Sequence, residues 1–144
     1  MRWWRVQSAV NLLNGSTLLG LAVAAAGGAR TSRGPRGLVL ATGYRYRFPP
    51  AGAFTLGNVV ITRHDPGWWE ERPRVLLHEE RHSRQYAMTL GLPMLPLYAL
   101  AAAWSYLRGG DWSTYNAFET RAGLADGGYA TISRRQRRRL ARTA

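Results

Sequence analysis

The chain has 144 residues, enough for one domain with a modest core, and it contains no cysteine. Disulfides and thiolate chemistry are therefore excluded, and any metal must bind through His, Glu or Asp. All 20 basic residues are arginine and the formal net charge is +12, which favours anionic partners such as phospholipid headgroups or nucleic acid. No helix-turn-helix, zinc-finger or RNA-binding signature accompanies this charge, so we expect no specific nucleic-acid partner.

The first predicted element is an apolar, membrane-associated helix within residues 1–30. Residues 6–29 carry no charge and are long enough to span a bilayer. Tryptophans and arginines precede this run, as is typical of a membrane interface: Arg2, Trp3, Trp4 and Arg5. Three polar side chains on one helical stripe weaken the case for a span: Gln7, Asn11 and Asn14. We favour a retained span or interfacial helix; a cleaved signal peptide and a soluble helix packed on the core are the alternatives.

A turn-rich linker, residues 31–37, leads to a segment whose hydrophobic period is two. Aromatic residues at 44, 46 and 48 alternate with arginines, which predicts a half-buried strand. Residues 53–62 form a second candidate strand. The two predict a β-hairpin or a small antiparallel sheet. The strand from Phe54 to Thr62 either offers a sheet edge to an extended peptide or covers the apolar back of the next helix.

That next helix, predicted from Pro73 to Leu90, contains the sequence H-E-x-x-H. Residues four apart lie on one helical face, so His78 and His82 can direct two imidazole nitrogens at a single ion. Glu79 is rotated by about 100° around the same helix, where it can act as general base toward water activated by the metal. Gln85 lies one turn beyond His82, whereas Glu80 and Arg84 are expected to form a surface ion pair.

The apolar run that follows, residues 86–107, contains two prolines. A straight helix over this run would separate His82 from residues after 107 by about 30 Å. Pro93 and Pro96 make a straight helix unfavourable. We therefore predict a helical hairpin, with one arm ending near Gly91 and the second extending from Pro96 to Leu107.

A last helix is predicted from Ser113 to Ala125, and a solvated, mobile basic tail occupies residues 131–144. Catalytic zinc needs three protein ligands and one open position. Glu119, the single glutamate of this last helix, is the favoured third ligand, and His64 in a turn is the alternative.

The combination of H-E-x-x-H and a later E-x-x-A resembles the gluzincin group of zinc metallopeptidases, most closely its membrane-associated members and small uncharacterised bacterial proteins. The resemblance covers about residues 75–126 and implies a zincin-like domain in residues 31–130. It implies Zn²⁺ bound by His78, His82 and Glu119, with Glu79 as general base and a peptide or protein as substrate. Two tyrosines are candidates for holding the oxyanion: Tyr115 and Tyr129.

The chain departs from the membrane gluzincins at one position, because Gly123 stands where E-x-x-A-D has aspartate. That aspartate normally orients a ligand histidine, and Asp126 or Asn116 are the candidates to replace it.

Taken together, the sequence predicts an α+β fold that is mainly helical, with a small antiparallel hairpin or sheet packed on the H-E-x-x-H helix. The motif predicts a zinc-dependent hydrolase, and the resemblance implies that it is a metallopeptidase. The basic charge predicts association with anionic lipid. The resemblance to bacterial proteins implies the bacterial inner membrane, and the arginine distribution favours the cytoplasmic side for the site. The alternative function is a non-catalytic, membrane-associated basic protein whose H-E-x-x-H is degenerate or accidental.

Overall fold

The computed structural model describes residues 2–143 and divides the chain into two compact units, one extending to Met94 and one beginning at Leu95. Helices combine with a four-stranded sheet, which confirms the predicted mainly helical α+β class. The helices of the first unit are α1 (Trp3–Leu13), α2 (Ser16–Ala26), α3 (Gly67–Glu71) and α4 (Pro73–Met88). Its strands are β1 (Arg30–Arg33), β2 (Val39–Thr42), β3 (Ala53–Leu56) and β4 (Val59–Thr62).

The N-terminal apolar run forms two helices rather than one. Helix α1 ends at Leu13, Gly15 adopts the left-handed conformation with φ of 82°, and α2 continues at a bend of 72°. The Asn14 Oδ1 atom accepts the backbone N–H of Ser16 at 3.0 Å and so supports the start of α2. Among residues 2–143 no single helix is long and apolar enough to cross a bilayer, although this bent pair meets that test of length and composition when taken together.

The polar stripe of α1 faces the protein interior. The amide of Gln7 donates to Ser83 Oγ at 2.9 Å, and the amide of Asn11 donates to Asn58 Oδ1 at 2.8 Å. Ser83 Oγ donates to the same Asn58 oxygen at 3.0 Å, which closes a buried network. Because unpaired buried amides are costly, this network fixes α1 against α4.

The sheet has the strand order β1-β2-β4-β3 and is mixed, since β2 and β4 run parallel while the two outer pairs are antiparallel. All four residues of the central strand β4 are buried, as expected for a continuous apolar run covered on both faces. Val59 and Ile61 pack with Ala24 of α2, whereas Val60 packs with Trp69 of α3. The sheet is therefore the middle layer between α2 and the helices α3 and α4.

The hairpin prediction was correct in kind but wrong in its residues. Residues 44–48 form no strand, and the hairpin instead consists of β3 and β4 around Gly57. Tyr44 is buried, but Tyr46 is 49% and Phe48 80% exposed, so the alternation does not define one buried face. The predicted linker overlaps β1. All four residues of this strand are polar and exposed, so the sequence has no hydrophobic period that would indicate a strand there.

Three helices follow: α5 (Met94–Gly109), which begins one residue before the second unit, α6 (Ala117–Ala122) and α7 (Arg134–Thr143). The predicted break after the H-E-x-x-H helix is present, but α5 begins two residues before Pro96, because a proline in the first helical turn removes no required hydrogen bond. The last predicted helix is shorter than expected, since Asn116 caps its start and Gly123 ends it. The predicted mobile tail is helix α7, whose start is a reciprocal capping box between Ser133 and Gln136.

Candidate metal centre

Helix α4 carries the histidine pair into the protein interior. Pro73 occupies its first turn, where the missing N–H costs nothing, and the helix packs against β3 and α1. His78 and His82 are only 1% and 7% exposed. These two histidines therefore do not belong to a solvated helix face.

The two imidazoles direct their Nε2 atoms at each other. These atoms lie 3.0 Å apart, with the ring planes at 84°. Gln85 Oε1 is 2.8 Å from His82 Nδ1; because an amide oxygen only accepts, Nδ1 carries the proton and the lone pair of His82 lies on Nε2. Gln85 thus selects the tautomer that a metal ligand needs.

Glu79 is buried and held by the neighbouring strand. Thr55, the third residue of β3, donates its hydroxyl proton to Glu79 Oε2 at 2.7 Å. Burial and the charge of Glu79 raise the pKa of the Tyr86 hydroxyl well above its usual value of 10.0. Tyr86 is therefore neutral at physiological pH.

Glu80 does not form the predicted surface pair with Arg84. It is 7% exposed and makes a two-point ion pair with Arg36, whose Nε lies 2.6 Å from Glu80 Oε1. Arg36 belongs to a 3-10 turn, Pro35–Gly37, within the segment predicted to be a linker. Glu80, the second glutamate of the sequence H-E-E-R-H, therefore anchors this turn to α4.

Glu119 lies in α6 and is 2% exposed. Asn116 Oδ1 accepts the backbone N–H of Phe118 at 3.0 Å and thereby sets where the helix begins. The hydroxyl of Tyr98 in α5 donates to Glu119 Oε1. Tyr98 thus orients the Glu119 carboxylate.

His78, His82 and Glu119 form a buried group in which each residue offers one ligand atom, all within 4.8 Å of one another. This group could hold a metal ion. Two nitrogens bound to one tetrahedral zinc at about 2.0–2.1 Å would lie about 3.3 Å apart. The observed 3.0 Å between the Nε2 atoms is close to this separation, so the spacing of the two histidines fits a zinc ion.

The other predicted site residues have different surroundings. His64 is exposed and stacks on Trp68 at 4.6 Å, outside the group of possible ligands. Tyr115 lies beneath the guanidinium of Arg108 at 4.6 Å. The side chain of Asn116 caps α6 by accepting the backbone N–H of Phe118. Asp126 and Tyr129 are both half-buried in the segment after α6.

The sequence analysis did not identify three residues that contact glutamates near the site: Thr55, Tyr98 and Arg36. Each reaches its glutamate from a different secondary-structure element, so helical spacing gives no information about it. Tyr98 left a local signal, as a hydroxyl-bearing residue within an apolar run.

Comparisons with protein-family models, with curated proteins and with solved structures find no significant match to this chain.

Proposed function

We propose that this protein is a zinc-dependent hydrolase of the gluzincin type, a metallopeptidase, with His78, His82 and Glu119 as ligands and Glu79 as general base. The observation that carries the proposal is the buried ligand group, in which the two histidine Nε2 atoms lie 3.0 Å apart and one ligand atom of each residue lies within 4.8 Å of the others. Two imidazoles and one carboxylate, without cysteine, are a donor set of catalytic zinc sites.

Each residue around the group has a defined task in this proposal. A zinc ion held there would supply a Lewis acid that activates water and polarises a substrate carbonyl. Glu79 accepts the proton of the attacking water and later returns it to the leaving amine. Thr55 holds the Glu79 carboxylate in one orientation, and Gln85 does the same for the His82 ring.

The substrate proposal, a peptide in extended conformation, rests on the position of β3. This strand ends the sheet order, and its Thr55 contacts Glu79, so a peptide aligned on β3 would bring its backbone near the general base. The part of the predicted edge that forms β4 is central in the sheet and cannot take this role.

The first experiment is elemental analysis of the purified protein, together with hydrolysis of a quenched-fluorescence peptide library. We expect about one zinc per chain, lost in His78→Ala and reduced in Glu119→Ala. Glu79→Gln should keep its zinc but lose hydrolysis by about 100-fold or more, because only the general base is removed.

His64→Ala is the matched control, since it removes the one histidine outside the group. It should retain both zinc and activity. A wild-type protein that takes up no zinc on reconstitution would overturn the proposal, and so would zinc that survives His78→Ala. Such results would favour the alternative of a non-catalytic protein.

A further inference from the structure

We propose that the first unit docks on the surface of an anionic phospholipid bilayer through an apolar tip. The tip consists of the end of α1 and the turn after α4, and its exposed side chains are Leu12, Leu13, Met88, Leu90 and Leu92. This interaction does not depend on the proposed hydrolase activity.

The tip residues are far more exposed than leucine and methionine normally are in an isolated fold. Leu13 is 86%, Leu90 75% and Met88 71% exposed. A cluster of exposed apolar side chains of this kind marks a binding surface.

The two segments of the tip lie directly against each other. Gly91, with φ of 94°, packs so closely on Asn14 that a Cβ atom at position 91 would lie 2.5 Å from Asn14 Cγ. The leucines before Asn14 and those beside Gly91 therefore form one patch.

The distribution of charge identifies lipid as the occupant. Neither of the two sequence runs in which the tip residues lie, residues 6–29 and 85–94 of the first unit, contains a charged residue. The exposed Arg5 precedes Leu13 by eight positions, about 12 Å of helix, and the exposed Arg84 precedes Met88 by four, about 6 Å. Side chains inserted about 5–10 Å below the headgroups would thus leave both arginines near the phosphates.

The buried polar stripe of α1 supports the same conclusion. A helix of a water-soluble surface normally turns its amides outward, but here Gln7 and Asn11 are 3% and 0% exposed while Leu12 and Leu13 face outward. The exposed tryptophan of this helix, Trp3, lies between Arg2 and Arg5 in the sequence. Aromatic side chains next to arginines are typical of a membrane interface.

The test uses the full chain, in which an introduced cysteine is the only thiol. Leu13→Cys and Phe48→Cys, both more than 75% exposed in the wild type, are labelled with an environment-sensitive fluorophore. With vesicles of phosphatidylglycerol and phosphatidylcholine we expect a blue shift for the label at position 13 and none at position 48. Equal responses of the two labels, or no response at position 13, would overturn the proposal.

Co-sedimentation with the same vesicles measures the contribution of the tip. Leu13→Ser combined with Leu90→Ser should weaken binding by about tenfold or more, because two leucines no longer leave water. Phe48→Ser should bind as the wild type does, and pure phosphatidylcholine vesicles should bind weakly. Unchanged binding of the double variant would overturn the proposal, because arginines alone would then hold the protein on the vesicles.

A second copy of the chain is the competing occupant. Light scattering without lipid distinguishes it, since the proposal expects wild type and double variant to have the same mass. A dimer that Leu13→Ser and Leu90→Ser convert to a monomer would overturn the lipid proposal.

Discussion

Thr55 of strand β3 fixes the orientation of the Glu79 carboxylate through a hydrogen bond. Its hydroxyl lies 2.7 Å from Glu79 Oε2, and the pair is buried. Thr55→Val keeps the side-chain shape but removes the donor, so we expect kcat to fall by about tenfold or more while zinc content stays unchanged. Steady-state kinetics on the peptide substrate and elemental analysis measure the two effects.

Thr55→Ser is the control for this prediction, because serine restores the hydroxyl and should restore most of the activity. If Thr55→Val and the wild type hydrolyse the substrate at the same rate, the hydrogen bond has only a structural role.

Gln85 controls the metal affinity rather than the chemical step. Its amide oxygen fixes the tautomer of His82 from 2.8 Å. Gln85→Ala should weaken zinc affinity by about 10- to 100-fold, whereas Gln85→Glu retains an acceptor at the same position and should bind zinc at least as well. Competition with a chromogenic chelator gives both dissociation constants, and equal affinities for Gln85→Ala and wild type would contradict the role.

At the site, the sequence could predict the residues that share a helix and the candidate third ligand, Glu119, the single glutamate of the last predicted helix. The positions of His78, Glu79 and His82 follow from helical geometry alone. The partners of these residues could not be predicted, because Thr55 belongs to a strand and Tyr98 to another helix. Glu80 illustrates the limit, since its i+4 partner Arg84 was plausible but the ion pair with Arg36 forms instead.

At the scale of elements, α2 crosses the sheet at Gly20. A Cβ atom there would lie 2.5 Å from Leu56 O and 2.8 Å from Val59 Cβ. Although alanine is the better helix former by about 1 kcal/mol, Gly20→Ala must separate α2 from the sheet. We expect a loss of about 1–3 kcal/mol in the free energy of unfolding, measured by denaturant titration.

Gly67→Ala provides the matched control, because a Cβ atom at the start of α3 meets only Asp65 Oδ1 at 3.4 Å. It should be neutral or slightly stabilising. A Gly20→Ala protein as stable as Gly67→Ala would mean that α2 can move away from the sheet at little cost.

Asp111 joins the end of α5 to the start of α7. Its carboxylate accepts backbone N–H groups of Thr114 and Arg134, each at 2.8 Å. Burial alone would raise the pKa of Asp111, but these hydrogen bonds outweigh burial and hold the pKa below its usual value of 3.8.

This lowered pKa predicts an acid-dependent stability. The Asp111 contribution is fully present above the unfolded-state pKa and is lost as the pH falls through the lower folded-state pKa. Unfolding titrations at about pH 6 and about pH 3 should therefore show a smaller acid loss in Asp111→Asn than in the wild type. Asp65→Asn removes one exposed carboxylate as a control, and an acid loss in Asp111→Asn equal to that of the wild type would contradict the prediction.

How well the ends of helices and strands could be predicted depended on whether the sequence carries capping or hydrophobic signals there. Asn116 and Gly123 are cap residues at the two ends of α6, and they could have predicted its true length. The exposed strand β1 has no apolar residue to reveal it. The apparent strand at residues 44–48 has the right period, yet its aromatic rings pack on each other, as Tyr44 does on Tyr46 at 5.6 Å.

At the scale of the whole molecule, what could not be predicted is the pairing of distant segments. Strands β2 and β4 are parallel neighbours, but they are not consecutive in the chain. The segment between them contains β3, which pairs antiparallel with the other side of β4. The N-terminal run has an amphipathic pattern that suits a membrane helix or a soluble one. Only the network with Asn58 and Ser83 determines that its polar stripe faces inward.

Metal binding gives a test that involves the whole fold. The three ligands come from α4 and α6, far apart in sequence, so only the folded chain can offer them together. At a zinc concentration about 100 times the dissociation constant, binding should add about 2.7 kcal/mol to the free energy of unfolding. For a chain of this size we expect the thermal midpoint to rise by roughly 5–10 °C.

The ligand variants show which residues produce this rise. His78→Ala should abolish the rise and Glu119→Ala should reduce it, whereas His64→Ala should keep the full increase because its imidazole lies outside the ligand group. Differential scanning calorimetry of zinc-loaded and chelator-treated protein gives each midpoint. An equal rise in Glu119→Ala and wild type would restrict the metal site to the histidine pair of α4, since removing the carboxylate would then have cost no binding free energy.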